Sequence, residues 1–261
     1  MVRALWIGVV FMLASGAWAE VRIEPVAYQD GQTRLQGQFA YDTEWDAPRP
    51  GVLVVHEWWG LNEHARNAAR KLAEAGYAAF ALDMFGEGKV TRHPEEAGKW
   101  ASEVRLNEAA WMRRALAGLE VLRQSERVDP NRLAAIGYCF GGSTVLQMAL
   151  HKAPLAAVVS FHGALPKVDV ESARGTPVRL LVCHGAADPL IPAAQIEEFQ
   201  RALGQAGVDW EMIFYGGAQH SFTNPAADEH GIQGLRYDAD ADRRSWRRML
   251  GFLEDAFTAK K

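Results

Sequence analysis

Cysteine is scarce in this chain of 261 residues: only Cys139 and Cys183 occur, so at most one disulfide is available and the fold must rest on its core. Charge of one sign is not in excess either. The formal net charge is −4 and no long basic stripe appears, which argues against a nucleic-acid partner. No internal repeat or low-complexity linker breaks the chain into units. The apolar stretch at residues 4–14 is too short to span a bilayer comfortably.

What stands at the N-terminus instead is a targeting pattern. Arg3 precedes the apolar stretch, and Ala17-Trp18-Ala19 follows it as a small-x-small cleavage site, so residues 1–19 read as a signal peptide cut between Ala19 and Glu20. The expectation is export to the periplasm or beyond, with no membrane contact after export; an uncleaved anchoring helix is the alternative. Residues 20–261 read as one domain, because 49% apolar composition suffices for a single sizeable core.

Apolar runs alternate with helical patterns along that domain. This implies an α/β fold with a mostly parallel central sheet and helices on both faces. Strands are expected at 21–28 and 33–41, joined by a turn at Asp30-Gly31, then at 50–56, 78–83, 132–138, 155–161, 178–184 and 210–215. Helices are expected at 62–76, across 93–128 in one or two pieces, and at 143–151, 192–206 and 241–257.

The most telling segment is Gly137-Tyr138-Cys139-Phe140-Gly141-Gly142. An apolar strand ending in Gly-x-Cys-x-Gly before a helix has the form of a nucleophile elbow, a strained turn that exposes one side chain. A thiol at its tip needs a base, and the base needs a third group to fix its tautomer. Candidates follow in order: Asp188 on the loop after the strand ending at His184, and His220 on the loop after the last strand. All three fall at strand carboxyl ends, where open α/β sheets bind ligands. The strand before Glu57-Trp58-Trp59 also ends on this rim. If it neighbours the elbow strand, Glu57 faces the thiol and the backbone N–H groups of Trp58 and Phe140 form an oxyanion hole.

Together, His56-Glu57 with the following aromatics, the Gly137–Gly142 segment, His184-Gly185-Ala186-Ala187-Asp188 and His220-Ser221-Phe222 resemble the dienelactone hydrolase family of the α/β-hydrolases. The resemblance runs from about residue 21 to residue 257. It implies hydrolysis of a carboxylic ester or lactone through an acyl-thioester, with Cys139 as nucleophile, His220 as base then acid and Asp188 as its orienter. It also implies that Glu57 holds the thiol in a resting state. A carboxylate beside a thiol would oppose thiolate formation and protect it from oxidation.

The chain departs from the family at the two arginines that bind an anionic substrate. Glu87 and Asn224 stand in their places, and Lys89 or Arg92 is the available compensation. The expected substrate is therefore a less anionic small-molecule ester or lactone. Trp59, Phe85, Phe161, His162 and Asn224 are candidates for the pocket wall. The usual strand order places one strand between the cysteines, a separation of about 9–10 Å against a disulfide reach of about 7 Å, so both should be free. No metal or organic cofactor is implied: Gly86-Glu87-Gly88-Lys89 lacks the flanking residues of a phosphate loop, and Asp238-Ala239-Asp240-Ala241-Asp242 lacks the glycine and glutamate of a calcium loop. A non-catalytic small-molecule binder and an acyltransferase on the same fold are the competing readings.

Overall fold

The computed structural model describes residues 20–258, so the signal peptide expected at 1–19 lies outside the described residues. The chain opens with a hairpin of β1 (Val21–Asp30) and β2 (Thr33–Asp42), closed where Asp30 pairs with Thr33 and Gly31 takes a left-handed φ of 58°. The remaining elements are β3 (Arg49–Val55), α1 (Glu63–Glu74), β4 (Ala78–Leu82), α2 (Pro94–Arg105), α3 (Glu108–Arg123), β5 (Val128–Tyr138), α4 (Phe140–Leu150), β6 (Ala157–Phe161), α5 (Val170–Ala173), β7 (Arg179–Gly185), α6 (Ala193–Ala206), β8 (Trp210–Tyr215) and α7 (Ala239–Thr258).

The eight strands form one sheet in the order β1-β2-β4-β3-β5-β6-β7-β8. From β4 through β3 to β8 every pairing is parallel, and β2 joins β4 antiparallel. Side chains alternate across the sheet and feed two cores. Leu53, Val55, Phe80, Val158 and Val182 pack on the side of α3, α4 and α6. Val52, Val54, Ile136, Val159 and Leu181 pack on the side of α1 and α7. The strands are apolar on both faces because helices cover both. Parallel pairing brings the carboxyl ends of β3 and β5 to β8 to one edge, where the candidate residues gather.

The observed boundaries differ from the expected ones where a local device overrides propensity. The helix after the elbow begins at Phe140 rather than Ser143. The Gly141-Gly142 pair, poor for a helix, is kept because its missing side chains let α4 approach the sheet. β5 begins at Val128, with a register irregularity opposite Pro50/Gly51 that absorbs Pro130. The stretch 93–128 resolves into α2 and α3, the second capped by the Asn107 side chain accepting from the Ala110 N–H at 3.0 Å.

Candidate active site

At the end of β5 the chain turns through Cys139 with φ 50° and ψ −110°, a backbone that L-residues avoid, and enters α4 at once. The turn is fixed from both sides. The Cys139 N–H donates to the Phe161 carbonyl at 3.0 Å, and the Cys139 carbonyl accepts from the Ser143 N–H at 3.1 Å. A Cβ on Gly141 would lie 2.1 Å from the Val55 carbonyl, and one on Gly137 would lie 2.1 Å from the Gly141 carbonyl. Only glycine permits that approach. The result is a half-buried thiol at the tip of a strained elbow.

His220 meets it from the loop after β8. Its Nδ1 hydrogen-bonds Asp188 Oδ2 at 2.8 Å, and its ring lies within hydrogen-bonding reach of the Cys139 thiol. Asp188 is itself oriented, since Oδ1 accepts from the Leu190 N–H at 2.9 Å. Burial opposes a charge on His220, yet the neighbouring Cys139 sulfur and the Asp188 carboxylate outweigh it and push the imidazole up to about 10. The ring thus holds its proton between a sulfur and a carboxylate. Neither the Trp58 nor the Phe140 N–H has a backbone partner among the described residues, the second because it opens a helix.

Glu57 is buried beside this group, but its carboxylate is turned to other partners than the expectation had it. Oε1 accepts from Ser221 Oγ at 2.8 Å, Oε2 accepts from Asn224 Nδ2, and His64 Nδ1 lies 3.5 Å from Oε2. No hydrogen bond joins Glu57 to Cys139 among the described residues. The resting-thiol contact is thus not the arrangement seen here: the loop after His220 offers Glu57 two donors, and His64 of α1 faces it as well. Burial alone would raise its pKa; hydrogen bonding and charge from His64, with His162 and Ser221, instead hold it at about 2.

The proposed wall residues divide. Phe85 lines a cavity of about 200 Å³ with Lys89, Trp100 and Trp111, and packs 5.4 Å from the Phe140 ring. The loop carrying it, including the Gly86–Lys89 segment, wraps the Asp83 carboxylate, which accepts from the Phe85, Gly86 and Gly88 N–H groups at 2.8–3.0 Å. Asn224 is committed to Glu57 and also borders a second cavity of about 250 Å³. Trp59 is buried and stacks on His230 at 3.8 Å. His162 packs edge-on to His220 at 5.3 Å and hydrogen-bonds Thr223 Oγ1 through Nε2 at 2.7 Å. Phe161 does not face the site. It shares the parity of Ala157 and Val159 in β6, so its ring stacks on Tyr138 in the core beneath α1 and α7. Arg92 pairs with Glu229 at 3.8 Å, on the surface.

Four residues escaped the sequence reading. Ser221 and Thr223 belong to the marker loop after His220, and their hydroxyls were the available signal. His64 sits in the first turn of α1 with no motif around it. Arg105, at the end of α2, lies with its Cζ 5.1 Å from the Phe140 ring, and only the fold brings it there.

The sheet order, the elbow and the placement of the three polar residues on one rim define an α/β-hydrolase. The model of the dienelactone hydrolase family matches residues 37–257, and the chain belongs to that family. It is a hydrolase of that fold. Among solved structures it is similar to a dienelactone hydrolase-like promiscuous phosphotriesterase from metagenomic libraries, with 41% identity, a TM-score of 0.88, and coverage of 91% of this chain and 99% of that one. A protein named usf from Aquifex pyrophilus is 26% identical over 89% of this chain and 98% of its own length. The dienelactone hydrolase of Anabaena variabilis, at 21% identity and TM-score 0.61 over 88% of this chain and 98% of its own, shares the fold.

Proposed function

We propose that the protein cleaves a carboxylic ester or lactone through a Cys139-His220-Asp188 triad. The observation that carries the reading is the hydrogen bond from His220 to Asp188 with the strained Cys139 elbow on the other side of the same imidazole. The Cys139 thiolate attacks the carbonyl carbon, and the oxyanion forms against the Trp58 and Phe140 N–H groups. As the C–O bond breaks, protonated His220 gives its proton to the leaving alkoxide, which leaves an acyl-thioester. His220, now neutral, takes a proton from water as that water attacks the thioester. The C–S bond then breaks, the acid departs, and the thiolate–imidazolium pair returns.

The substrate is expected to be less anionic than a dienelactone. Glu87 and Asn224 offer no bidentate cation, and Asn224 is engaged with Glu57. The name of the 41%-identical structure supports adding neutral phosphotriesters to the substrates tried. A panel of neutral and carboxylate-bearing chromogenic esters, lactones and phosphotriesters tests this. The expected outcome is turnover of neutral members in preference to anionic ones, lost by about 10³-fold or more in Cys139→Ala, with an acyl adduct on Cys139 in trapped wild-type protein. Turnover that survives Cys139→Ala removes the triad. Binding without turnover favours the non-catalytic reading, and transfer to added alcohols in place of water favours the acyltransferase. Export completes the proposal: the mature protein made with its own residues 1–19 should begin at Glu20 by intact mass.

A further inference from the structure

We infer that His64 is a positioning residue that latches Glu57 away from Cys139 and so keeps the thiol available; the inference rests on the triad reading above. β3 and β5 are neighbours, and their register pairs Val55 with Gly137. Two residues beyond that pair stand Glu57 and Cys139, so a buried carboxylate and a thiol follow the same ends of neighbouring strands. A carboxylate next to a thiol disfavours the thiolate. Whatever decides where Glu57 points therefore decides how reactive Cys139 is.

Three groups hold Glu57 off the thiol: Ser221, Asn224 and His64. The first two are neutral donors. His64 differs because of what its other nitrogen does. Its Nε2 lies 3.0 Å from the Thr223 carbonyl, which can only accept, so Nε2 carries a hydrogen. Nδ1 has no hydrogen-bond partner among the described residues and faces Glu57 Oε2 at 3.5 Å. A neutral ring in that tautomer would aim a lone pair at a buried carboxylate. A ring with a hydrogen on Nδ1 as well would aim it at the carboxylate and draw Glu57 toward α1.

The other groups around His64 fit this role. The Tyr138 ring packs edge-on at 4.6 Å, and His162 and Asp242 are the further titratable groups within its field. His64 also lines the 250 Å³ cavity with Asn224, Thr223, Trp246 and Asp242, a cavity whose lining includes none of Cys139, Asp188 and His220. The latch is thus reached by solvent from outside the triad. It acts on the nucleophile only through Glu57.

The test is the second-order rate of Cys139 alkylation by iodoacetamide at neutral pH, measured on the full-length folded protein as wild type, His64→Gln, Glu57→Gln and the double variant. Gln at position 64 keeps a donor for the Thr223 carbonyl and removes the ring nitrogen that faces Glu57. The expected result is a roughly tenfold slower reaction in His64→Gln, with the double variant restored to the rate of Glu57→Gln. An unchanged rate in His64→Gln overturns the inference. A double variant as slow as His64→Gln also overturns it, since His64 would then act on the thiol by some route other than Glu57. Should His64→Gln not fold alone, Glu57→Gln against the double variant still decides: equal rates support the latch, and a tenfold gap removes it. Failure of the triad reading shows separately, as ester turnover that persists in Cys139→Ala.

Discussion

Cys183 lies fully buried in β7, where loss of water disfavours its charged form and pushes the thiol up to about 12, and the Tyr215 hydroxyl donates to its sulfur at 3.8 Å. Cys139 carries the same chemistry at a half-buried elbow beside an imidazole. β6 runs between the two strands that bear them, and both cysteines are free. The contrast gives a prediction at the scale of single side chains. Native protein should take up one equivalent of iodoacetamide, at Cys139, and the second only in denaturant, as peptide mapping would show. Native labelling at Cys183 would mean that the β7 core opens far more readily than its packing implies.

Among elements, the unit that matters is β5–turn–α4. Its chemistry depends on two close backbone approaches that no rotamer change can relieve. Gly141→Ala would drive a Cβ into the Val55 carbonyl, forcing α4 away from β3. The expected cost is about 1–3 kcal/mol of stability in a urea melt. Ester turnover should fall further than that, by about 10²-fold for a 1 Å displacement, because the Cys139 sulfur and the Phe140 N–H move together. A variant with wild-type kcat would show that the turn tolerates movement. This same element was legible in the sequence, since Gly-x-Cys-x-Gly-Gly after an apolar run admits few backbones. The order of Asp188 and His220 behind it was equally legible, because both follow apolar strands. Phe161, a candidate for the pocket wall, lies in the core instead, because alternation along β6 gives it the parity of Val159. His64 was out of reach for another reason. Its meaning lies in the Thr223 carbonyl, 159 residues away, and no local pattern encodes that contact.

At the scale of the molecule, Glu57 is a tie. Its carboxylate at the end of β3 is bound by Ser221 and Asn224, 164 and 167 residues along the chain, so it closes the two sides of the parallel sheet onto each other. Burial works against its charge, but His64 first, then His162 and Ser221, hold it ionised down to about 2, against 4.5 for a free side chain. Between those values the unfolded chain binds a proton that the folded one refuses. The stabilisation from Glu57 is therefore present above pH 4.5 and is lost as the pH falls through the window toward about 2. Glu57→Gln has no such proton to take up. Its melting temperature should fall less steeply than that of the wild type across the window. Some slope should remain, because Asp30 is likewise held ionised, its burial overcome by hydrogen bonds from Arg113 and Arg114. Thermal melts of both proteins through this pH range make the comparison, and parallel curves would show that the bonds to Ser221 and Asn224 position the carboxylate without stabilising the fold.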